Sequence, residues 1–522
     1  MFARPGKTGE EAKGSGNQAP WPGLTLVLVL LGTLVRFVYG FHAALWRCAP
    51  DQAAWDLNLR YALHTGGSAY HELIHYPHEG GSLLLSLLAI ALTPLDGWLP
   101  PLSWAALVVD TLSRYFQIRI ATRLFGESTA IWFGAWTVLS VPLILPWGTV
   151  DFGLHSLVAF VPFLFIRYAM DQERPDRKLG VLAGLGGCLA YDCLLLVPAY
   201  MAWSFTVGGV KKSTLVGAAG FLLGAIVGFL PHIVLRMFLD NAFSLENMPA
   251  MGVRGLEQEP LHMVFALPNL ITVWTSTLPA SFLLSAFEPL SSRMTALLVL
   301  SFLLFGVVNA VRARRSRAVA EWLILWVILL FSIVYAMSPV FFDRVDAKSY
   351  LPYRHFTFIL PLLVLLMVVG LARLRANAWV LGAWLVVCAS ASLTFMVRTT
   401  LCVSGNDGAT GWVLARKYGH DPERLVGMVE LAPEPNREEL LRGYGWGMTA
   451  TIFEHASPGD TVPMERMCHY WSRFPARYRA QLLDGVRVAF APGITPVLDS
   501  SLGPELMDRL RTIEMASGLR DL

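Results

Sequence analysis

The chain has 522 residues, 55% of them hydrophobic and only 15% charged, with a mean hydropathy of +0.51. Soluble domains carry nearer a quarter of charged residues, so this deficit argues for lipid burial and against an ordinary soluble enzyme. The formal charge of +3 is too small to imply a nucleic-acid partner, and the positions of Lys and Arg matter more than their sum.

Residues 1–23 are rich in Gly, Pro and Lys and read as a disordered cytoplasmic N-terminus. Residues 24–41 form an apolar stretch with one charge, Arg36. No small-residue cleavage site follows Phe41, so this stretch reads as a retained first span. Near its outer end, Arg36 is expected to snorkel to the headgroups. Comparable stretches follow at 128–146, 154–168, 213–230, 294–311, 322–340, 357–371 and 376–397. Only helices satisfy their backbone within such runs, since a barrel would show short alternating strands. The expected fold is therefore an all-α polytopic membrane protein of roughly 9–13 membrane segments.

Three regions resist simple spans. Residues 83–109 are split by Pro94 and Pro100-Pro101 and leave one to three passes open. Residues 179–205 are broken by Gly186-Gly187 and Tyr191-Asp192, with basic residues on both sides. A pair of half-helices entering and leaving by the cytoplasmic face fits that pattern. Asp192 is then the polar break, paired with Tyr191 or a neighbour. Residues 261–287, interrupted by Pro268 and Pro279, read as an outer-face hairpin.

Basic clusters mark the cytoplasmic side. They are Lys7 and Lys13; Arg114, Arg119 and Arg123; Arg174, Arg177 and Lys178; Lys211 and Lys212; Arg312, Arg314, Arg315 and Arg317; and Arg373 with Arg375. The outside then receives 42–81, 147–153, 240–259, 341–354 and the C-terminal region. From 398 to 522 the composition becomes that of a soluble α-helical domain. Arg437 to Gly443 recurs as Arg479 to Gly485, and Gly411-Trp412 recurs as Gly445-Trp446, at spacings of 42 and 34 residues. Such spacings suit stacked helix-hairpin repeats, here a docking surface or cap for a protein partner. Cys188, Cys193 and Cys388 read as packing residues. Cys48, Cys402 and Cys468 lie on the outer side, where a disulfide is permitted.

The loop at 42–81 holds Asp51, Asp56, Glu72 and Glu79 with His42, His64, His71, His75 and His78. Residues 56–70 read as a short amphipathic helix stopped by Gly66-Gly67. Asp51 at its start is either a general base for an acceptor hydroxyl or a helix cap after Pro50. His75, His78 and Glu79 suit sugar contact. They lack the spacing of the helical zinc motif, so no metal ligand is assigned. Asp151 and His155 sit in another outer loop as a substrate rim. Arg354 with His355 is either a phosphate clamp or an interfacial anchor.

These motifs, in this order, resemble those of the GT-C superfamily, multispan glycosyltransferases that use polyprenyl-phosphate sugars, particularly the family 39-like and dolichol-phosphate-mannose mannosyltransferase-like branch. The resemblance rests on Leu34-Val35-Arg36-Phe37 closing the first span, Asp51 before an amphipathic helix, and Tyr76-Pro77-His78-Glu79-Gly80. It continues through Arg123-Leu124-Phe125-Gly126, the segment from Gly184 to Pro198, Phe229-Leu230-Pro231-His232 and Tyr353-Arg354-His355. It covers about residues 24–397 and implies a GT-C-like bundle there, with 398–522 lying outside it. It implies inverting transfer at the outer face of a bacterial inner membrane, with Asp51 as base, Asp56 as the nearby alternate, and Arg354 steadying the leaving phosphate. Members differ in their need for a divalent cation. The family's adjacent acidic pair is missing here, so a non-catalytic relative that docks partners through its repeats is the alternative. A lipid-linked oligosaccharide polymerase or flippase ranks last, because Asp192 is the one clear ionisable group at mid-depth.

Overall fold

The computed structural model describes residues 22–43, 50–66, 82–139, 157–171, 176–238, 270–271, 273–274, 319–337, 356–373, 378–400, 407–419, 421–453, 461–491 and 502–518. Among these every regular element is helical. Two helices, over Gly23–Phe41 and Lys212–Val234, are long and apolar enough to cross a bilayer, and several shorter ones are equally apolar.

The first layer is a three-helix unit of α1 (Pro22–Ala43), α4 (Pro101–Phe125) and α5 (Glu127–Leu139), with α2 (Pro50–Thr65) at one end. Between them, α3 (Ser82–Ala91) is only about 15 Å long at 1.5 Å per residue. It ends in the 3-10 turn Thr93–Leu95, just before Pro100 stops the chain again. Residues 83–109 thus form a short helix, a break, and the start of a long one. The long helix continues through Arg114, Arg119 and Arg123, so all three lie within α4 rather than in a basic loop. Gly126, with φ of +91°, then ends it and turns directly into α5.

α1 and α4 are antiparallel. Arg36 meets Asp110, Arg114 reaches back to Val29, and the rings of Phe37 and Trp104 stack at 5.3 Å. The expectation that Arg36 snorkels is corrected here, for it is wholly buried. Its Nε lies 3.1 Å from Asp110, and its Nη1 donates to the carbonyls of Gly32, Thr137 and Val138. The last two carbonyls belong to the last turn of α5. Arg114 Nε shares the Asp110 carboxylate at 2.7 Å.

The second layer contains α6 (Phe160–Asp171), α7 (Arg177–Leu189), the 3-10 turn Tyr191–Leu195, α8 (Leu196–Gly208) and α9 (Lys212–Phe238). A Cβ at Gly180 would overlap the Phe221 carbonyl, and one at Gly184 the Ala225 carbonyl. One at Gly224 would overlap Arg177, and one at Gly228 would overlap Val181. Positions advance together on both helices, so α7 and α9 run parallel with backbones touching, as small residues four apart allow. Because they are parallel, the chain between them must reverse. The turn at Tyr191 and α8 bring it back to the end where α7 began. Tyr191 pairs with His232 at 2.9 Å.

Further along lie α10 (Val319–Met337), α11 (Leu360–Arg373) and α12 (Ala378–Thr400). Every residue from 356 to 371 is buried, as expected of a helix apolar on all sides. Large apolar side chains point outward on other helices: Leu30, Leu34 and Phe41 on α1, Leu223, Ile226 and Leu230 on α9, and Trp379 and Val386 on α12.

The C-terminal region is three helix hairpins where the sequence showed two copies: α13 (Asp407–Tyr418) with α14 (Pro422–Leu431), α15 (Glu434–Phe453) with α16 (Thr461–Arg473), and α17 (Ala476–Ala489) with α18 (Leu502–Gly518). Arg437 clamps the carbonyls of Ala432 and Glu430 at the end of α14. Arg479 clamps those of Phe474 and Ser472 at the end of α16, at the same offsets of five and seven residues. Gly411, Gly443, Gly445 and Gly485 stand where a Cβ would overlap the neighbouring helix backbone. Cys468 is a free thiol, and Cys48 and Cys402 lie outside the described residues.

Candidate functional site

Of the sequence-derived site residues, His75, His78, Glu79, Asp151, His155, Arg354 and His355 lie outside the described residues, as does the side chain of Asp51. Asp51 itself sits in the first turn of α2, and Asp56 is fully described.

α2 starts at Pro50, six residues earlier than expected. Proline is favoured in the first turn, where its missing N–H costs nothing. It stops before Gly66, whose φ of +66° suits glycine and whose N–H bonds the Ala62 carbonyl. It is no surface helix, because Gln52, Trp55, Asp56, Asn58, Leu59 and Ala62 are all buried. One face meets the start of α4 and the other meets α13 and α14.

The start of α4 explains Asp56. Pro100 offers no capping side chain, and Pro101 has no N–H. The Asp56 carboxylate fills that gap, with Oδ1 accepting from the Leu102 N–H at 3.3 Å. One turn earlier on α2, Gln52 donates to Ser103 at 2.7 Å. Arg60 pairs with Asp96 at 2.7 Å. Asp56 is thus a helix cap supplied from another helix, placed at the positive end of the α4 dipole. This revises the alternate-base assignment. The group is buried, 5% exposed.

Burial pushes the Asp56 carboxyl up to about 7. Arg60, the Leu102 N–H and Gln52 oppose that shift, and Asp96 adds to it. A folded pKa above the unfolded one means that the folded state holds the extra proton. The contribution to stability is therefore fully present below about 4 and is lost as pH rises to about 7. Asp56→Asn keeps an acceptor for Leu102 and removes the titration. Melting followed from pH 4 to 8 is expected to show a flatter profile for the variant, with its advantage over wild type largest at pH 8.

Sequence reasoning missed three other buried polar centres. The Arg36–Asp110–Arg114 cluster joins α1, α4 and α5, and Glu321 is buried on α10. Asp192 is only half-buried, whereas these groups are buried, so the count used to rank transport last is itself corrected. The signal for part of it was Asp110 and Arg114 standing four apart on one helix. The third centre is Arg424 of α14, whose Nη2 meets Asn58 Oδ1 of α2 at 2.5 Å. Among the described residues no group of three or more His, Cys, Asp or Glu has the geometry to hold a metal ion. No family model matches the chain, and no curated protein matches it.

Proposed function

We propose that the chain is a polytopic membrane protein of the bacterial inner membrane that moves a sugar from a polyprenyl-phosphate carrier to an acceptor at its outer face. The membrane part of this reading is supported by the outward apolar faces of α1, α9 and α12 set against buried Arg36, Asp110 and Arg114. That distribution is the reverse of a water-soluble bundle.

The catalytic part rests on one observation. Gln52 to Ser103 and Asp56 to Leu102 pin α2 to the start of α4, which holds residue 51 at the α2 end of the α1–α4 pair. In the proposed reaction the Asp51 carboxylate takes the proton of an acceptor hydroxyl. That oxygen attacks the anomeric carbon, the bond from that carbon to the phosphate oxygen breaks, and polyprenyl phosphate leaves with inversion. Arg354 steadies the phosphate. His75, His78, Glu79, Asp151, His155 and His355 are proposed as the rim for donor and acceptor. Asp56 is assigned a positioning role through α4.

The test is turnover in proteoliposomes with polyprenyl-phosphate sugars. Asp51→Asn is expected to lower kcat by about 10²- to 10⁴-fold, the usual worth of a general base, and Asp56→Asn far less. Equal turnover of wild type and Asp51→Asn removes the base assignment. A docking function is the second reading, favoured by a cavity of about 190 Å³ in the repeats between Ala415, Met448, Ile452, Arg466 and Tyr470. Wild type that turns over no donor supports it.

A further inference from the structure

We infer that the C-terminal repeat domain is a working part of the α2 site, and that Arg424 is its positioning residue, fixing where residue 51 stands. The kinetic arm of this inference rests on the transfer proposed above, whereas its structural arm does not.

The geometry of α2 carries the argument. At 100° per residue, Gln52 and Asp56 share one face, while Asn58 and Tyr61 fall on the opposite one. The first pair is bound to the start of α4. The second is bound to the repeats. Asp421 accepts the Arg424 N–H at 3.1 Å and so caps the first turn of α14, giving the side chain a rigid base. Its guanidinium lies 4.3 Å from the Tyr418 ring centre and 5.5 Å from that of Tyr61, and it donates to Asn58. Arg424 is only 5% exposed. One turn on, Gly427 leaves room for the Tyr61 ring, which a Cβ there would strike.

A planar cation stacked on tyrosine and bonded to a buried amide is selective in direction, and an ammonium does not reproduce it. An arm of this kind does more than cover apolar surface. It sets the rotation and depth of α2, and residue 51 lies seven residues before Asn58 on the same helix. A helix held on both faces cannot roll, and loss of either hold frees it to shift by the small distances that cost transfer enzymes much of their rate.

The experiment uses the full-length protein in lipid nanodiscs. Amide exchange of residues 52–65 is followed by mass spectrometry in wild type, Arg424→Met, Arg424→Lys and Asn58→Leu. Exchange in α2 is expected to rise about 10-fold in Arg424→Met and in Asn58→Leu, with the protection of α15 and α4 retained. Arg424→Lys restores less than half of the lost protection. In turnover, both variants lower kcat by about 10- to 100-fold and leave KM for the polyprenyl-phosphate donor within about twofold. Unchanged α2 exchange in both variants overturns the inference. So does loss of α15 protection in Asn58→Leu, which would make the contact a general prop of the fold. If wild type shows no transfer, the exchange data still decide the joint, and it is the proposed activity that fails.

Discussion

Replacing Asp110 with Asn is expected to destabilise the folded protein by roughly 3–5 kcal/mol, the cost of removing one partner from a buried charge cluster. Two guanidinium groups share this carboxylate, at 3.1 Å from Arg36 and 2.7 Å from Arg114. Asp110 is 4% exposed and Arg36 fully buried, so water cannot take its place. The second positive charge is already met by dipoles. Arg36 takes two carbonyls near the end of α5, and Arg114 takes the Val29 carbonyl and the Thr33 hydroxyl. None of these substitutes for the missing negative charge. The control is the triple variant Arg36→Leu, Asp110→Leu, Arg114→Leu, expected to lie much nearer wild type, because apolar packing of similar volume often equals or exceeds an intact buried cluster. Unfolding in detergent micelles read by circular dichroism measures both. An Asp110→Asn protein as stable as wild type would mean that the cluster is not paired as described.

Gly184→Leu carries the other large effect, a loss of more than about 3 kcal/mol and in practice of the α7–α9 pair. The Cβ at this position would overlap the backbone oxygen of Ala225 and crowd the Phe229 amide, and backbone cannot move aside as a side-chain end can. The contrast is Gly220→Ala on α9. A Cβ there meets nothing within 4 Å, and alanine is expected to add about 0.5–1 kcal/mol of helix stability. Opposite signs for two glycines of the same helix pair exclude a generic effect of glycine content. Thermal unfolding and cross-linking between α7 and α9 report the two outcomes.

The helices themselves were legible because hydrophobic runs fix where a backbone must satisfy itself. The reversal after Leu189 was legible too, since Gly186-Gly187 and Tyr191-Asp192 interrupt an apolar run flanked by cations. The repeats could be read because Arg437 and Arg479 perform one task at one offset, so the chemistry leaves the same residues behind. The first hairpin left a fainter trace, because it shares only Gly411-Trp412 with the second. What no single-helix window shows is register between helices. Arg36 looked like a snorkelling end residue because its partner, Asp110, lies 74 positions away on another helix. Asp56 looked like a candidate base because the two prolines that deprive α4 of its own cap come 44 and 45 residues later. In both cases a charge read from its own segment was explained by another segment.

In the proposed topology α2 and the repeat domain share one face of a membrane, opposite the start of α1. It is tested by labelling sealed, uniformly oriented vesicles with an impermeant maleimide, in a protein whose six native cysteines are replaced. Single cysteines are introduced as His64→Cys on α2, Arg466→Cys on the repeats and Gly23→Cys on α1. The first two are expected to label together, and the third only from the other side, after permeabilisation. Labelling of residues 64 and 466 from opposite sides, or of all three in intact vesicles, would contradict it.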